Sequence, residues 1–584
     1  MNDKKQQAKP KPNFFAIVFI TGVSIWAYLQ LGAPIVSREI QPLPALALLF
    51  AALGILRIII CLLEFLVAFI DWQSTRTTTG RSGTASFGRK KGFKKDLTRK
   101  KQGPFWGVNA ARDHTALFFD YVSNALTIAP AGSGKGICTV VPMGMSIRGS
   151  KIFPDFKGEL ICMLKKPLEK RGEIVRKLNP AGLWKEKIGE SDSYSPLDII
   201  ADDLNRPGGL RDVMDDLREI TRQILPEPSE RESENTYFRE GSRGLIGMAT
   251  LIETMIEEYD ATLSSVSLLI EDRLRLEDHA RWIAGLDING KPHSDGAFPI
   301  EQTPWAQKHS TEDVAEFTKL VRAKAKNLLA LMSGEDTRTF DSFITGAQQA
   351  LAPFAFGRLA SCMGRSTFRM DELKEGKNPT NLFIVSDASR MEAYKPFIGL
   401  IQWCCMTAIK RHKNKDRSVY FILDEATNYK ISGLESLLTW GRSYGLKLHV
   451  IFQDLSAFER VYGKAALETL LSETEIKQFL PGQRSPKTLE LISKKLLGEQ
   501  SVISANLSRT ETASGVRESL SETARVLMTE DEIRRTNHGI LFVRRNRPIL
   551  FDPVSYAEIY PWKNQVGINP FFGKAFRKRT KLRI

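Results

Sequence analysis

The run Ala125-Leu-Thr-Ile-Ala-Pro-Ala-Gly-Ser-Gly-Lys-Gly136 constrains the fold of this chain more than any other stretch. A short β-type segment ends at Ala129, a loop of small residues follows, and Ile137-Cys-Thr-Val-Val141 opens the next element. Small residues let main-chain N–H groups turn toward an anion, and a lysine at a helix start can reach terminal phosphates. Ala131, Gly132, Ser133, Gly134, Lys135, Gly136 and Ile137 are therefore the candidate nucleotide-binding residues. The strict pattern G-x-x-x-x-G-K-[ST] is broken at both ends. Ala129 stands at its first glycine, and Gly136 at the hydroxyl residue that normally holds Mg2+. A glycine-rich turn between a strand and a helix gives similar letters, so the loop needs a partner elsewhere in the chain.

Ser418-Val-Tyr-Phe-Ile-Leu-Asp-Glu425 provides one. It reads as a buried strand ending in two acids, and paired charges at the end of a central strand are costly without a task. In phosphate-loop ATPases the first acid supports the metal and the second polarises the attacking water. Asp424 takes the first role, as the candidate Mg2+ residue, and Glu425 the second. Leu446-Lys-Leu-His-Val-Ile-Phe-Gln453 is another strand run ending in a polar amide, and Gln453 is placed to sense a γ-phosphate. Arg442, in the loop signal Gly441-Arg-Ser-Tyr-Gly445, could serve as an arginine finger toward a neighbouring subunit. A surface arginine explains it equally well.

Strand-like runs at 125–129, 151–155, 173–178, 380–386, 418–424, 446–452 and 539–550 alternate with helical stretches. This is the pattern of an α/β sheet with crossover helices. Ligands in such sheets bind beyond the carboxyl ends of the strands, where the loop, Asp155, Asp424 and Gln453 all fall. Between 206 and 345 the period changes to three and four, as at Leu245, Met248, Ile252 and Met255, and helices are expected at 210–225, 238–259, 263–284 and 311–332.

Phe14 to Ser37 carries no charge, and Leu43 to Ile70 is a second apolar stretch interrupted by Arg57 and Glu64. About 20 residues cross a bilayer. Lys and Arg flank both outer ends, so a two-helix transmembrane hairpin is expected, with everything after Trp72 cytoplasmic. The net charge of +16 comes almost wholly from two segments, 73–101 and 574–583. The first reads most simply as an anchor to anionic lipid. The rest of the chain is near neutral, which excludes a protein coated in basic charge. Six cysteines without a CxxC pair exclude a disulfide scaffold and argue against a zinc knuckle.

Taken in order, Ile128-Ala-Pro-Ala-Gly-Ser-Gly-Lys-Gly136 with Val141-Pro142, Asp155-Phe-Lys-Gly-Glu159, Tyr194-Ser-Pro-Leu197, Leu423-Asp-Glu425, and Tyr444-Gly-Leu446 with Gln453-Asp-Leu-Ser456 resemble the motifs of type IV secretion coupling proteins of the TraG/TraD kind. That family often ends its phosphate loop in Gly-Lys-Gly. The resemblance implies an α/β, RecA-like phosphate-loop domain at 113–205 and 346–565, an all-α domain inserted at 206–345, a membrane anchor at 1–72 (helices about 14–36 and 43–70), a basic linker at 73–112, and a basic tail at 566–584. It also implies an inner-membrane ATPase using ATP and Mg2+, assembled as a homo-hexamer. Such a protein brings relaxase-bound single-stranded DNA, effector proteins, or both, to the proteins of a type IV secretion channel. Two rival readings are a duplex-DNA pump of the FtsK/HerA kind and a substrate receptor that does not hydrolyse ATP.

Overall fold

The computed structural model describes residues 83–584, with breaks at 99–101, 112, 228–235, 293–295, 334–336, 429–430, 432 and 510–515, and a few helical positions between 52 and 67. The expected hairpin at 14–36 and 43–70 lies outside these residues apart from those few positions. Among the described residues no helix is long and apolar enough to cross a membrane. The chain forms two units: Ser86–Leu497 with Met528–Ile584, and Met1–Ala85 with Gly498–Leu527.

The first unit is built on one sheet. Its strands in chain order are β1 (Phe105–Asn109), β2 (Ala116–Phe118), β3 (Asn124–Ile128), β4 (Ser150–Asp155), β5 (Ile174–Leu178), β6 (Thr380–Val385), β7 (Val419–Leu423), β8 (Leu446–Phe452) and β9 (Thr474–Phe479). The second unit contributes β10 (Glu499–Arg509) and β11 (Val516–Val526), and the first unit closes with β12 (Gly539–Val543) and β13 (Ile549–Asp552). The large sheet runs β2-β1-β13-β12-β9-β3-β8-β7-β4-β6-β5. From β9 to β5 every pairing is parallel, and from β12 outward the pairings are antiparallel. Parallel strands are covered on both faces, which is why β7 and β8 are buried at every residue.

Two polar side chains of β8 are buried with their partners. Lys447 donates to Asp120 at 2.9 Å and to the Tyr420 hydroxyl at 3.2 Å. His449 Nε2 lies 2.7 Å from the Thr127 hydroxyl, which itself donates to Gln478 at 2.9 Å. Thr127 has one proton to give, so the proton between the two comes from His449 Nε2. Burial holds its pKa down to about 3.

At the amino ends of the strands, Lys151 is fully buried. Its amine donates to Glu173 at 3.1 Å and to the carbonyls of Ile147 and Gly149 at 3.2 and 2.8 Å. Glu173 also pairs with Arg171 at 2.7 Å and accepts from Asn381 at 2.9 Å.

All the described residues between β5 and β6 that take regular structure are helical, apart from one isolated bridge. The four expected helices form, with one difference. The stretch 263–284 is two helices, Leu263–Glu271 and Arg273–Ala284, because Asp272 accepts from Arg275 N at 3.0 Å and caps the second. Among the described residues four further α-helices lie outside the expected stretches: Lys185–Ile188, Asp198–Asn205, Thr337–Ala355 and Arg358–Cys362. Leu245, Met248, Ile252 and Met255 are buried, as their spacing required.

Other departures have simple causes. The run 539–550 is not one strand but the hairpin β12–β13, turning where Arg544 takes a positive φ of 49°. Strand β1 lies inside the segment read as a basic linker, because its Phe-Trp-Gly-Val core follows the last lysine of that run. The residues after 565 fold back: Leu582–Arg583 pairs with Ile559–Tyr560. In the second unit, β10 and β11 pair in register from Glu499↔Val526 to Arg509↔Val516, and Thr84 bridges Gln500.

Candidate nucleotide site

Strand order decides which residues can meet. Strands β3, β8, β7 and β4 are consecutive neighbours, so the segments leaving their carboxyl ends form one row. That row carries the glycine loop, Gln453, Asp424 with Glu425, and Asp155. The loop strand and the acid strand are not adjacent. β8 lies between them, held by Thr127↔Ile451 on one side and Leu423↔Val450 on the other.

Ala129 N donates to Phe452 O at 2.9 Å, extending β3 by one residue before the chain turns away. Gly132 and Gly134 both take φ of +79°, the left-handed region where a Cβ is strained. Left-handed residues in such a turn bend successive N–H groups toward one side. Lys135 then begins the helix, whose first turn at Gly136–Val140 is wide before Val141–Ser146 continues it.

Lys135 reaches across to the acids. Its amine donates to Glu425 Oε1 at 2.7 Å and lies 3.1 Å from Asp424 Oδ1. All three side chains are half-buried. Burial pulls the Lys135 pKa down, but Asp424 and Glu425 together outweigh it and hold the amine above its ordinary value. Asp424 is raised by burial, with Glu425 adding and Lys135 opposing. The contact to Asp424 is one of charge alone, since Oδ1 has no aligned hydrogen-bond donor. The hydroxyl of Ser133 is likewise buried without a partner. A loop hydroxyl left without a hydrogen bond indoors is what a phosphate would satisfy, and a carboxylate oxygen held by charge alone is free to turn to an ion.

Glu425 sits at φ +56°, a strained conformation for a residue with a side chain. It is fixed there: Ala426 N donates to Ile451 O at 3.0 Å, and Asn428 donates its main-chain N–H to Glu425 O at 2.8 Å and its amide to Oε2 at 2.6 Å. Asp155 is buried at the next strand end and accepts from Ile161 N at 3.0 Å. Burial raises its pKa to about 7.

Gln453 is exposed at the end of β8, one residue before Asp454 caps the next helix. Arg442 is exposed in the turn before β8, at the opposite end of that strand. Seven strand residues separate them, roughly 20 Å at ~3.3 Å each, so the fold does not bring Arg442 to its own subunit's loop. Gly136 has open space where a Cβ would stand, so nothing nearby replaces the missing hydroxyl. Among the described residues no group of three or more His, Cys, Asp or Glu could hold a metal ion. Asn428 and Ser133's unpaired hydroxyl were not visible as such in the sequence, since neither has a signature apart from position.

Comparison with known proteins places this arrangement. The chain is 22% identical over 436 residues to the protein VirD4 of Agrobacterium fabrum, covering 72% of this chain and 57% of that one. It is 26% identical over 432 residues to the conjugal transfer protein TraG of Escherichia coli, covering 70% and 61%. The match thus spans about three-fifths of the length of these curated relatives. The fold is that of the bacterial conjugative coupling protein TrwBdeltaN70, with a TM-score of 0.53 at 18% identity over 81% of this chain and 93% of that one. The plasmid coupling protein TrwB in complex with ADP and Mg2+ gives a TM-score of 0.51 at 18% identity over the same shares. The family described as Type IV secretory system Conjugative DNA transfer matches residues 77–559. By that match, which covers well over half its length, the chain belongs to the type IV secretory system conjugative DNA transfer family.

Proposed function

We propose that this chain is an ATP-hydrolysing coupling protein of the inner membrane. It is anchored by a hairpin at its amino end, works as a homo-hexamer, and passes relaxase-bound single-stranded DNA, effector proteins, or both, to a type IV secretion channel. One observation carries the reading: the Lys135 amine lies within 2.7 Å of Glu425 and 3.1 Å of Asp424, groups that the sequence holds 290 and 289 positions away. An amine, two acids and a left-handed glycine loop at one point are the parts a shared triphosphate would use.

The roles follow from the chemistry of each group. In the free chain Lys135 neutralises the two acids. Lys135 would exchange that pairing for the β- and γ-phosphates of a nucleotide held in the loop. Asp424, left without its cation, is the residue that would hold Mg2+, directly or through water, and Ser133 would donate to a phosphate oxygen. When bound, ATP with Mg2+ supplies a polarised γ-phosphoryl group and a stabilised leaving group. Glu425, held by Asn428, orients the attacking water and takes its proton. Gln453 stands between loop and acids and reports the γ-phosphate. Arg442, remote from its own loop, reaches that of the neighbouring subunit.

Lys135→Ala is expected to abolish nucleotide binding, measured with a fluorescent ATP analogue. Glu425→Gln is expected to keep binding and lose turnover. Hydrolysis at the parent rate by both variants would refute the assignment. Stimulation of the parent by single-stranded DNA favours conjugative transfer, by duplex DNA a pump, and absence of turnover under all conditions a receptor.

A further inference from the structure

The residues after Trp562 form a fastened surface layer rather than a loose tail. Trp562 packs edge-on to Phe105, with ring centroids 5.6 Å apart. The chain then runs along the helix Glu159–Lys170. Gly567 N donates to Met163 O at 2.8 Å, Asn569 donates to Glu159 Oε2 at 2.6 Å, and Phe571 meets Trp184 edge-on at 5.3 Å. On the way back Lys578 N donates to Ala557 O at 3.0 Å and Lys581 N to Glu558 O at 2.9 Å.

This layer presents rings and cations to solvent. Phe572 is 71% exposed and Phe571 57%. Lys574, Arg577, Lys578 and Arg579 are all exposed. Of the tail's cations, only Lys581 has a carboxylate partner among the described residues, Glu558 at 2.8 Å. Cations stand over neighbouring rings: Lys578 over Phe576 at 5.2 Å, Arg583 over Tyr560 at 5.5 Å, and Lys187 over Trp184 at 4.7 Å. Beside it, where the layer meets the far end of the helix, lies a cleft of about 560 Å³. Its lining includes Arg148, Lys166, Lys170 and Trp562 and no acidic side chain; Arg171, which also lines it, is paired with Glu173 behind it.

Uncompensated cations interleaved with exposed rings and a basic cleft are the two parts of a single-strand binding surface: phosphates follow the charge and unstacked bases lie on the rings. A duplex hides its base faces and cannot use Phe572. Phe576, Tyr560 and Trp184 each carry a cation over the face, which suits a polyanion better than a bilayer interior, and Phe571 and Phe572 stay bare for bases. The layer also abuts the motor. Tyr556–Glu558, to which it is fastened, packs against Gly136–Val140, the turn that follows Lys135.

We propose that residues 567–583 and the adjoining basic cleft bind single-stranded nucleic acid, with Phe571 and Phe572 as stacking platforms and Lys574, Arg577 and Arg579 as phosphate contacts. The proposal rests on the reading of this chain as a DNA-moving ATPase and gives it a place to grip.

The test uses the full chain in phosphatidylcholine nanodiscs and a fluorescent oligothymidylate. Phe572→Ala weakens binding about fivefold or more, the effect of losing one stacked base, and Phe572→Trp restores it. Changing Lys574, Arg577 and Arg579 to Gln flattens the dependence of log affinity on log salt by about 2, at ~0.7 per phosphate contact. All these side chains are solvent-exposed, and the ATPase rate without DNA stays at the parent value. Parent-like oligothymidylate binding by both variants overturns the proposal while leaving the motor reading intact. A parent that neither binds oligothymidylate nor hydrolyses ATP overturns both. Loss of capture by phosphatidylglycerol vesicles with oligothymidylate binding unchanged makes the surface a lipid-docking one and also overturns the proposal.

Discussion

Replacing Glu173 by Gln tests the electrostatics that hold the amino ends of the central strands. Glu173 is the single carboxylate between two cations, Lys151 at 3.1 Å and Arg171 at 2.7 Å. Gln has the same shape, so packing is kept, but the charge is lost and one of the two accepting oxygens becomes an N–H donor facing Lys151 and Asn381 or Arg171. Breaking a buried pair by removing one partner costs about 3–5 kcal/mol. Lys151 has an escape, however, because it can shed its proton. Burial already pushes its pKa down to about 8 even with Glu173 present. A lysine with a depressed folded pKa binds fewer protons folded than unfolded between that value and ~10.4, so stability rises with pH across this window. Without Glu173 the folded pKa drops further and the window opens at lower pH. The share of the penalty that falls on Lys151 is therefore largest near pH 6 and relieved above pH 9, while the share on Arg171, which stays charged, persists. At about 2 cal/mol/K of unfolding entropy per residue, one kcal/mol shifts the melting temperature by about 1 °C in a unit of about 470 residues. Thermal unfolding followed by circular dichroism should show the variant melting at least about 3 °C below the parent at pH 6, with the gap narrowing by pH 9. The double variant Lys151→Met with Glu173→Gln should recover most of the loss at pH 6, since a packed apolar side chain replaces the stranded amine. A gap below about 1 °C at pH 6, or one that grows with pH, would refute the reasoning.

Other outcomes follow from the same geometry. His449 is neutral in the fold with a pKa near 3, so its contribution is complete above ~6.5 and falls by about 1.4 kcal/mol per pH unit below it; His449→Gln should flatten the acid side of a urea-midpoint profile between pH 6.5 and 4. Gly136→Ser meets open space and a helix start, so it should raise the melting temperature slightly, consistent with a gain of a few tenths of a kcal/mol, and tighten the Mg2+ dependence of ATP hydrolysis. Asn428→Ala removes the 2.6 Å hydrogen bond that aims Glu425; turnover should fall about tenfold, the equivalent of ~1.4 kcal/mol, with nucleotide affinity unchanged in a binding titration.

What could be read without coordinates was what repeats or what pairs by chemistry. β7 and β8 are runs of buried apolar residues, and their limits agree with expectation to within a residue. The meeting of Lys135 with Asp424 and Glu425 was legible because an amine in a glycine loop and acids at a strand end have one common use. Strands β1, β2 and β9 were not legible. β1 follows a basic run that dominates any local average, and β9, Thr-Glu-Ile-Lys-Gln-Phe, has polar residues that find buried partners only once β3 and β12 flank it. The hairpin β10–β11 is made largely of Ser, Glu, Thr and Ala, which lack the apolar alternation that marks a strand. Its order comes from cross-strand hydrogen bonds, which leave little trace in composition. Asp272 breaks a helix whose apolar spacing runs on without interruption, and one side-chain cap decided it.

The placement of the helical insert between β5 and β6 constrains how this protein can change over time. These two strands pair in parallel, Ile174 beside Thr380 and Leu178 beside Ile384, so any link between them must travel the whole length of the sheet and return. The roughly two hundred residues from Asn179 to Pro379 are thus a single crossover connection grown very large. Lineages are free to exchange or remodel that connection wholesale, because its two attachment points flank one edge pair and none of the phosphate chemistry. Shortening it has a floor: about a dozen residues, one modest helix, would still close the circuit, whereas a tight turn would force the edge strand to reverse direction.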